Sequence, residues 1–234
     1  MPSVKLPEST KIIKKDKIFY ILQEKGKIKK YKPWLGDIFS FLYDKIMEKS
    51  VFPKKFCGTL TKHHEFLKEE YKNIHNSNVL EIATGSGVTA YLLNNDNSYT
   101  GIDISSGLLS QAVRKFGEKN FPDAEFYICG ASDLPFTDEF FDVVICDLSL
   151  NFLGDPEPFI RGLKRIMKNG ASFYCSVPVP ERKDSKAIIH GNLMTEREIQ
   201  ILFERFDFTF MPRSFKNGAL LYFEAVLGKK RSKA

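Results

Sequence analysis

Val79-Leu80-Glu81-Ile82-Ala83-Thr84-Gly85-Ser86-Gly87 is an apolar run with one acid inside it, opening directly onto a pair of glycines. The run predicts a buried strand, the glycines a turn, and the residues from Val88 a helix. Gly85 and Gly87 have no Cβ, so the backbone can take positive φ there. A ligand can then approach main-chain N–H groups at the positive end of the helix. Strand, glycine turn and helix start form a generic nucleotide cradle, and Gly85-x-Gly87-x-x-Ala90 also satisfies the dinucleotide fingerprint.

Downstream, apolar runs recur at 98–104, 125–130, 141–147 and 171–177, with helical patterns between them. Alternating strands and helices predict a parallel sheet covered on both faces. Asn169-Gly170 reads as the C-cap of a helix beginning after 156. Thr195 and Glu198 form a capping box for the last helix, whose Ile199, Leu202 and Phe203 face inward. The runs 205–211 and 218–227 are joined through Lys216-Asn217-Gly218, too short a link for a crossover helix, so they are antiparallel. Upstream, residues 17–32 alternate apolar and lysine around Glu24-Lys25-Gly26-Lys27, as in a small hairpin. Leu35, Ile38, Phe39, Leu42 and Ile46 mark an amphipathic helix; Leu60, His64, Leu67 and Tyr71 mark a second, ending near Asn73. His64 is read as an interface histidine. The expected fold is α/β, a doubly wound Rossmann-like seven-stranded sheet with its last strand antiparallel, plus an N-terminal hairpin and helical cap.

A chain of 234 residues with 43% hydrophobic content and 21 phenylalanines supports one main core. No apolar run approaches the roughly 20 residues that span a bilayer, and no signal-peptide h-region opens the chain, so a cytoplasmic location is expected. Cys129, Cys146 and Cys175 sit in apolar runs and Cys57 in a polar stretch, with no Cys-x-x-Cys pair. They read as core thiols, and no metal is expected. The net charge of +6 is uneven: residues 1–72 carry 17 basic and nine acidic side chains, the remainder 18 and 20. Such a segment can attract an anionic substrate or nucleic acid, or form a solvated lysine-rich face.

Asp103 lies 16 residues beyond Gly87, at the end of the next predicted strand. A carboxylate there can accept two hydrogen bonds from a ribose diol, which NAD and S-adenosylmethionine both present. Cys129-Gly130-Ala131-Ser132-Asp133-Leu134-Pro135-Phe136 follows the third strand and Phe141-Asp142-Val143-Val144 opens the fourth. Taken with the antiparallel end of the sheet, residues 77–227 resemble the class I S-adenosylmethionine-dependent methyltransferases, especially the group related to ubiquinone and menaquinone biosynthesis C-methyltransferases. Glu81 to Gly87 looks like the first motif and Gly101-Ile102-Asp103-Ile104-Ser105 the second. Leu134-Pro135-Phe136 with Phe141-Asp142 looks like the approach to the fourth strand. Leu163 to Gly170 resembles the helix and turn before the fifth.

The resemblance implies domains at 1–75 (hairpin and cap), 76–228 (cofactor-binding methyltransferase domain) and 229–234 (basic tail). It implies that Glu81 orients the methionine amino group, that Ala83 and Gly85 pass close to methionine and ribose, and that Asp103 takes the ribose hydroxyls. Ile104 would pack on adenine, and the Ala131 main chain with the Ser132 side chain would meet the adenine edge. Thr84, Gly87 and Leu148 complete the expected cofactor contacts. Two departures stand out: Ala83 replaces a frequent glycine, and Gly130 a frequent aspartate.

Methyl transfer from a sulfonium is an in-line displacement that disperses positive charge, so positioning and exclusion of water can supply most of the rate. A base is needed only where the acceptor starts protonated. Asp147, Ser149 and Asn151 follow the fourth predicted strand, at the sheet edge where ligands bind, and Asp147 is the first choice as catalytic group. Asp147-Leu148-Ser149-Leu150 is not the Asn-Pro-Pro-Tyr type found in methyltransferases of nucleobase nitrogens. Tyr31, Trp34, Tyr43 and Phe52 are candidate lid aromatics, or core residues. A hydrophobic lid suits a small aromatic or lipid-like acceptor. The alternatives are an RNA or protein methyltransferase docking through the basic segment, an NAD-dependent enzyme, and a cofactor-binding module without catalysis.

Overall fold

Val79, Leu80 and Ile82 lie at the centre of a sheet, where each is essentially inaccessible to solvent. The computed structural model describes residues 6–7, 9–23, 26–29, 31, 40–132 and 134–228. Its strands are β1 (Ile12–Lys15), β2 (Ile18–Ile21), β3 (Asn78–Ile82), β4 (Ser98–Asp103), β5 (Ala124–Ile128), β6 (Phe141–Asp147), β7 (Met167–Pro178), β8 (Phe208–Pro212) and β9 (Leu220–Leu227). They are ordered β1-β2-β5-β4-β3-β6-β7-β9-β8. Neighbours from β2 through β7 are parallel, whereas β1 pairs antiparallel with β2, and β9 antiparallel with both β7 and β8.

Alternation along β3 sends Leu80 and Ile82 to one face and Val79 to the other. On the first face they belong to a core layer with Phe159, Ile160 and Leu163 of the helix Pro156–Ile166 and Ile199 and Phe203 of the helix Glu196–Arg205. On the second, Val79 packs with Leu67 and Tyr71 of the helix Leu60–Tyr71 and with Leu109, Ala112 and Phe116 of the helix Ser106–Glu118. The sheet is thus doubly wound, with a hydrophobic layer on each side. The capping box of Thr195 and Glu198 is present. No helix among the described residues is long and apolar enough to cross a membrane.

The differences from the sequence reading have physical causes. Among the described residues the sheet has nine strands rather than seven, because the N-terminal hairpin extends it at the β5 edge instead of standing apart. That hairpin also lies earlier than expected: Ile12 and Ile13 pair with Ile21 and Tyr20, and Asp16 and Lys17 take the positive φ values that a two-residue turn demands. The expected turn near Gly26 survives as a smaller closure, with Leu22 bridging Ile28 and Gln23 N donating to Lys27 O at 2.8 Å.

The crossover after Gly87 is a single 3-10 turn, Val88–Tyr91, not a long helix. The chain returns through Asn94 and Asn97, whose side chains each donate to Ile74 O, and β4 begins at once. A turn this short has little dipole, so the helix-end argument for ligand binding does not apply there. Among the described residues no helix joins β5 to β6 either. The helix from Pro156 stops at Ile166, and Asn169-Gly170 falls inside β7, with Gly170 at φ +82°. The cause is the pairing of Met167 with Phe141, which claims the chain for the sheet before the expected cap.

In the cap, Ser40–Leu42 is a 3-10 turn, Tyr43–Ile46 one α turn, and Met47–Phe56 a wider π-type helix containing Pro53. The wider winding puts Phe52 and Phe56 inward and leaves Ile46 exposed, contrary to the expected stripe. Leu35, Ile38, Phe39, Trp34, and the tail at 229–234 lie outside the described residues.

Gly87 sits at φ +78°, and a Cβ there would lie 2.5 Å from the Ala112 backbone. Gly87→Ala therefore combines left-handed strain with overpacking, and urea unfolding should show a loss of about 2–4 kcal/mol in stability.

Candidate functional site

From β3 the chain proceeds one way to β4 and β5, then crosses back to β6 and β7 on the other side. Such a switch leaves a crevice beyond the carboxyl ends of the strands. Three carboxylates stand on its three central strands: Glu81 on β3, Asp103 ending β4, and Asp147 ending β6.

The turn after β3 is tightly specified. Ala83, Gly85 and Gly87 take φ of +56°, +58° and +78°. For Ala83, which carries a Cβ, left-handed backbone costs roughly 1–2 kcal/mol. The turn is held by Asp103, whose Oδ2 accepts from Gly85 N at 2.9 Å while Oδ1 accepts from Ser105 N at 2.9 Å. Thr84 turns inward, its Oγ1 donating to Glu81 O, and a Cβ on Gly101 would lie 2.6 Å from Thr84 Oγ1. Thr84 thus presents its main chain, not its side chain, to the crevice. Beyond β4, Ile104 is 40% exposed, an apolar side chain at the mouth of the crevice. Beyond β5, Ala131 is half-buried and Ser132 exposed.

Glu81 is buried, accepting from Thr89 Oγ1 at 2.6 Å and from the Tyr99 hydroxyl. Burial pushes its carboxyl up to about 8; those two hydrogen bonds pull the other way, and Asp147 and Asp103 push further up. The carboxyl is therefore largely protonated at neutral pH until a cation or a donor arrives.

Two aromatics anticipated as lid residues reach this region. Tyr43 lies over the turn, its Cε1 3.7 Å from where a Gly85 Cβ would be. Burial raises its phenol far above the usual range, and Asp103, Asp147, Asp44 and Glu81 raise it further, so it stays neutral. Tyr31 meets Gly130, whose N–H donates to its hydroxyl at 2.9 Å. Phe52 is a core residue at 0% exposure.

The Tyr43 turn is latched by Lys115, a lysine 6% exposed on the helix Ser106–Glu118. Its Nζ donates to Asp44 Oδ2 at 2.6 Å and to Ser86 Oγ at 3.0 Å. Ser86 Oγ in turn donates to Asp44 Oδ1. Desolvation opposes ionisation of Asp44, but the Lys115 and Ser86 hydrogen bonds outweigh it and hold its carboxyl below the ordinary value.

Asp147 belongs to a buried polar chain. His63, fully buried, places Nε2 3.0 Å from Asp147 Oδ2 and Nδ1 2.9 Å from the Tyr222 hydroxyl. Asn217 Nδ2 donates to that hydroxyl, and Asn217 Oδ1 accepts from Thr59 N. Ser176 Oγ donates to Asp147 Oδ1. Burial favours a protonated Asp147, yet His63 and Ser176 together prevail and keep its carboxyl below the usual range. His63 thus bridges the two elements, one ring nitrogen on Asp147 and the other on Tyr222. Leu148 follows at φ +54°, its N–H donating to Ser176 O at 2.9 Å.

The sequence reading placed His64 on the inward stripe; the structure puts His63 there, with Leu67 and Tyr71, and leaves His64 partly exposed. The spacing of four from 63 to 67 to 71 was the available signal. Ser149 Oγ donates to Asp147 O, while Asn151 is buried with its Nδ2 donating to His190 O, away from the chemistry.

A family model described as a methyltransferase domain matches residues 80–175. Among curated proteins, demethylmenaquinone methyltransferase of Thermotoga maritima is 31% identical over 132 residues, covering 54% of this chain and 56% of that one. Phosphatidylethanolamine N-methyltransferase of Cereibacter sphaeroides is 27% identical over 141 residues, covering 60% and 62%. The chain thus spans little more than half the length of these curated relatives. A crystal structure of an S-adenosylmethionine-dependent methyltransferase from Aquifex aeolicus superposes with a TM-score of 0.60 at 16% identity, over 79% of this chain and 96% of that one, and shows the same fold.

Because the Glu81 carboxyl is raised from 4.5 to about 8 by folding, the native state binds the extra proton between those values. Stability from this group is full below about 4.5 and is lost as pH climbs through 8. Denaturant titrations from pH 5 to 8.5 should show stability of the ligand-free protein falling, and Glu81→Gln should flatten that fall.

Proposed function

We propose that the chain, which matches a methyltransferase domain over residues 80–175, is a class I S-adenosylmethionine-dependent methyltransferase that transfers the cofactor's methyl group to a small-molecule acceptor. One observation carries this reading. In a chain of net charge +6, Glu81, Asp103 and Asp147 stand together toward the carboxyl ends of three adjacent strands. Such an acidic crevice, in which Glu81 ionises as a cation arrives, suits a ligand bearing a sulfonium, an ammonium and a ribose diol. The residues present fit that ligand: a carboxylate offers about four acceptor positions, so holding two amides does not exhaust Asp103.

Bound there, S-adenosylmethionine would supply an electrophilic methyl group. Asp103 would accept from the ribose hydroxyls, and Glu81, ionising as an ammonium approaches, would hold the methionine end. The turn from Ala83 through Gly87 would bring its main chain close, with Leu148 lining the same crevice. Ile104 would pack on the base, beside Ala131 and Ser132. Asp147 is the group placed to accept a proton from the acceptor, or to hold its polar end, and His63 fixes which face of the carboxylate is presented.

For the acceptor, a small aromatic or lipid-like molecule fits the apolar side chains left exposed near the crevice, Phe152 after β6 and Phe41 on the cap. The names of the two curated relatives point the same way. Buried free thiols at Cys129, Cys146 and Cys175 suit a reducing, cytoplasmic setting.

Calorimetry with S-adenosylhomocysteine tests the cofactor assignment. Asp103→Ala should weaken binding about 10- to 100-fold, as expected for losing hydrogen bonds to a charged group; unchanged affinity would remove the ribose role. Methyl transfer from labelled cofactor to a naphthoquinol, a catechol and phosphatidylethanolamine tests the acceptor. On whichever accepts, Asp147→Asn should lower turnover about 100-fold or more while S-adenosylhomocysteine affinity stays within about threefold. Binding without transfer to any acceptor would favour a module that only holds the cofactor.

A further inference from the structure

A nucleoside with its ribose on Asp103 of β4 and its cationic end toward β3 and β6 directs its base the opposite way, over the tip of β5. There the chain runs Cys129-Gly130-Ala131-Ser132. Gly130 and Ala131 carry no polar side chain, the Cys129 thiol is buried with its Sγ toward Gly130 O, and Ser132 lies out in solvent. Among the described residues of this tip, Ser132 alone has an exposed polar side chain, and a second polar group reaches the tip from another segment.

Tyr31 comes from the N-terminal segment, 99 residues away, and meets this tip directly. Its hydroxyl accepts from Gly130 N at 2.9 Å, and its ring lies so close that a Cβ on residue 130 would sit 3.0 Å from Cε1. Glycine at 130 is thus the counterpart of the tyrosine: the ring takes the volume that a side chain would occupy. Ile104, 40% exposed on the neighbouring strand end, supplies an apolar surface beside it. Together they offer what a purine needs, an apolar face and a hydroxyl at its polar edge.

We propose that Tyr31 reads the adenine base, its hydroxyl hydrogen-bonding the purine edge at the tip of β5. This rests on the nucleoside reading given above and assigns the base-recognising side chain to the N-terminal segment rather than to the sheet. Specificity for adenine then depends on that segment being docked, so the hairpin and cap are part of the cofactor site.

The test is calorimetry on the full chain with three probes: S-adenosylhomocysteine, its analogue lacking the 6-amino group, and its 1-deaza analogue. Wild-type protein should prefer S-adenosylhomocysteine over at least one analogue by about fivefold, the worth of one ordinary hydrogen bond. Tyr31→Phe should weaken S-adenosylhomocysteine by about the same factor and abolish the preference, with the ligand-free melting temperature falling by no more than the few degrees that loss of the Gly130 N–H bond costs. Gly130→Ala, which pushes the ring from its place without touching the hydroxyl, should reproduce the loss and guards against a folding defect in the first variant. Unchanged affinities and preference in Tyr31→Phe would overturn the proposal while leaving the nucleoside reading intact. Tighter binding would overturn it too, since Tyr31 would then be a plug and not a reader. No heat from folded wild-type protein with S-adenosylhomocysteine would remove the nucleoside reading itself, and the proposal with it.

Discussion

Two main-chain amides, Gly85 N–H and Ser105 N–H, converge on the single carboxylate of Asp103. That convergence ties the turn after β3 to the end of β4, and the geometry of the crevice depends on it. Charge-assisted bonds of this kind are about twice as strong as neutral ones. They give the turn a fixed anchor across three residues of positive φ, one of which, Ala83, is strained for lack of glycine's freedom. The same clamp fixes the carboxylate itself, so the group that would receive a diol is preorganised.

Around this anchor the protein sorts its charges by depth. Lysines crowd the surface of the N-terminal segment, yet the crevice below holds Glu81, Asp103 and Asp147, with Tyr43 kept neutral among them. Lys115 is the exception, a buried cation whose partners are Asp44 of the cap and Ser86 of the glycine turn. Removing one partner from a buried pair is costly, because the survivor is left charged and unsolvated. The latch therefore couples the cap to the turn, and whatever disturbs one is felt by the other. Asp147 is held by a different device, a chain of hydrogen bonds that runs through His63 and Tyr222 to Asn217 and ends on the cap of the helix at Thr59.

Much of this was legible in the sequence, because local pattern and local geometry agree there. The runs at 78–83 and 98–104 could only be buried strands, and Asp103 could only fall at a strand end. Where the sequence reading failed, a distant contact decided the matter. Helical spacing allows 60, 64, 67 and 71 to share a face as readily as 63, 67 and 71; Asp147, 84 residues away, selects His63. Val88 to Leu93 has a helical look, but Asn94 and Asn97 bind the carbonyl of Ile74 and force an early return. The Tyr31–Gly130 contact left no trace in any local pattern, since neither residue has a periodic neighbour that demands it.

The pairing of β2 with β5 also bears on how the chain is made. Ile18 lies beside Phe126, so the hairpin leaves the ribosome over a hundred residues before its partner does. At synthesis rates of about 5–20 residues per second, that wait is roughly 5–20 s, during which an isolated two-stranded ribbon is barely stable. Lys14, Lys15 and Lys17 interrupt the apolar residues of the ribbon, and charges so placed discourage stray edge-to-edge association. The basicity of the N-terminal segment thereby keeps a waiting strand single until the nascent sheet can receive it.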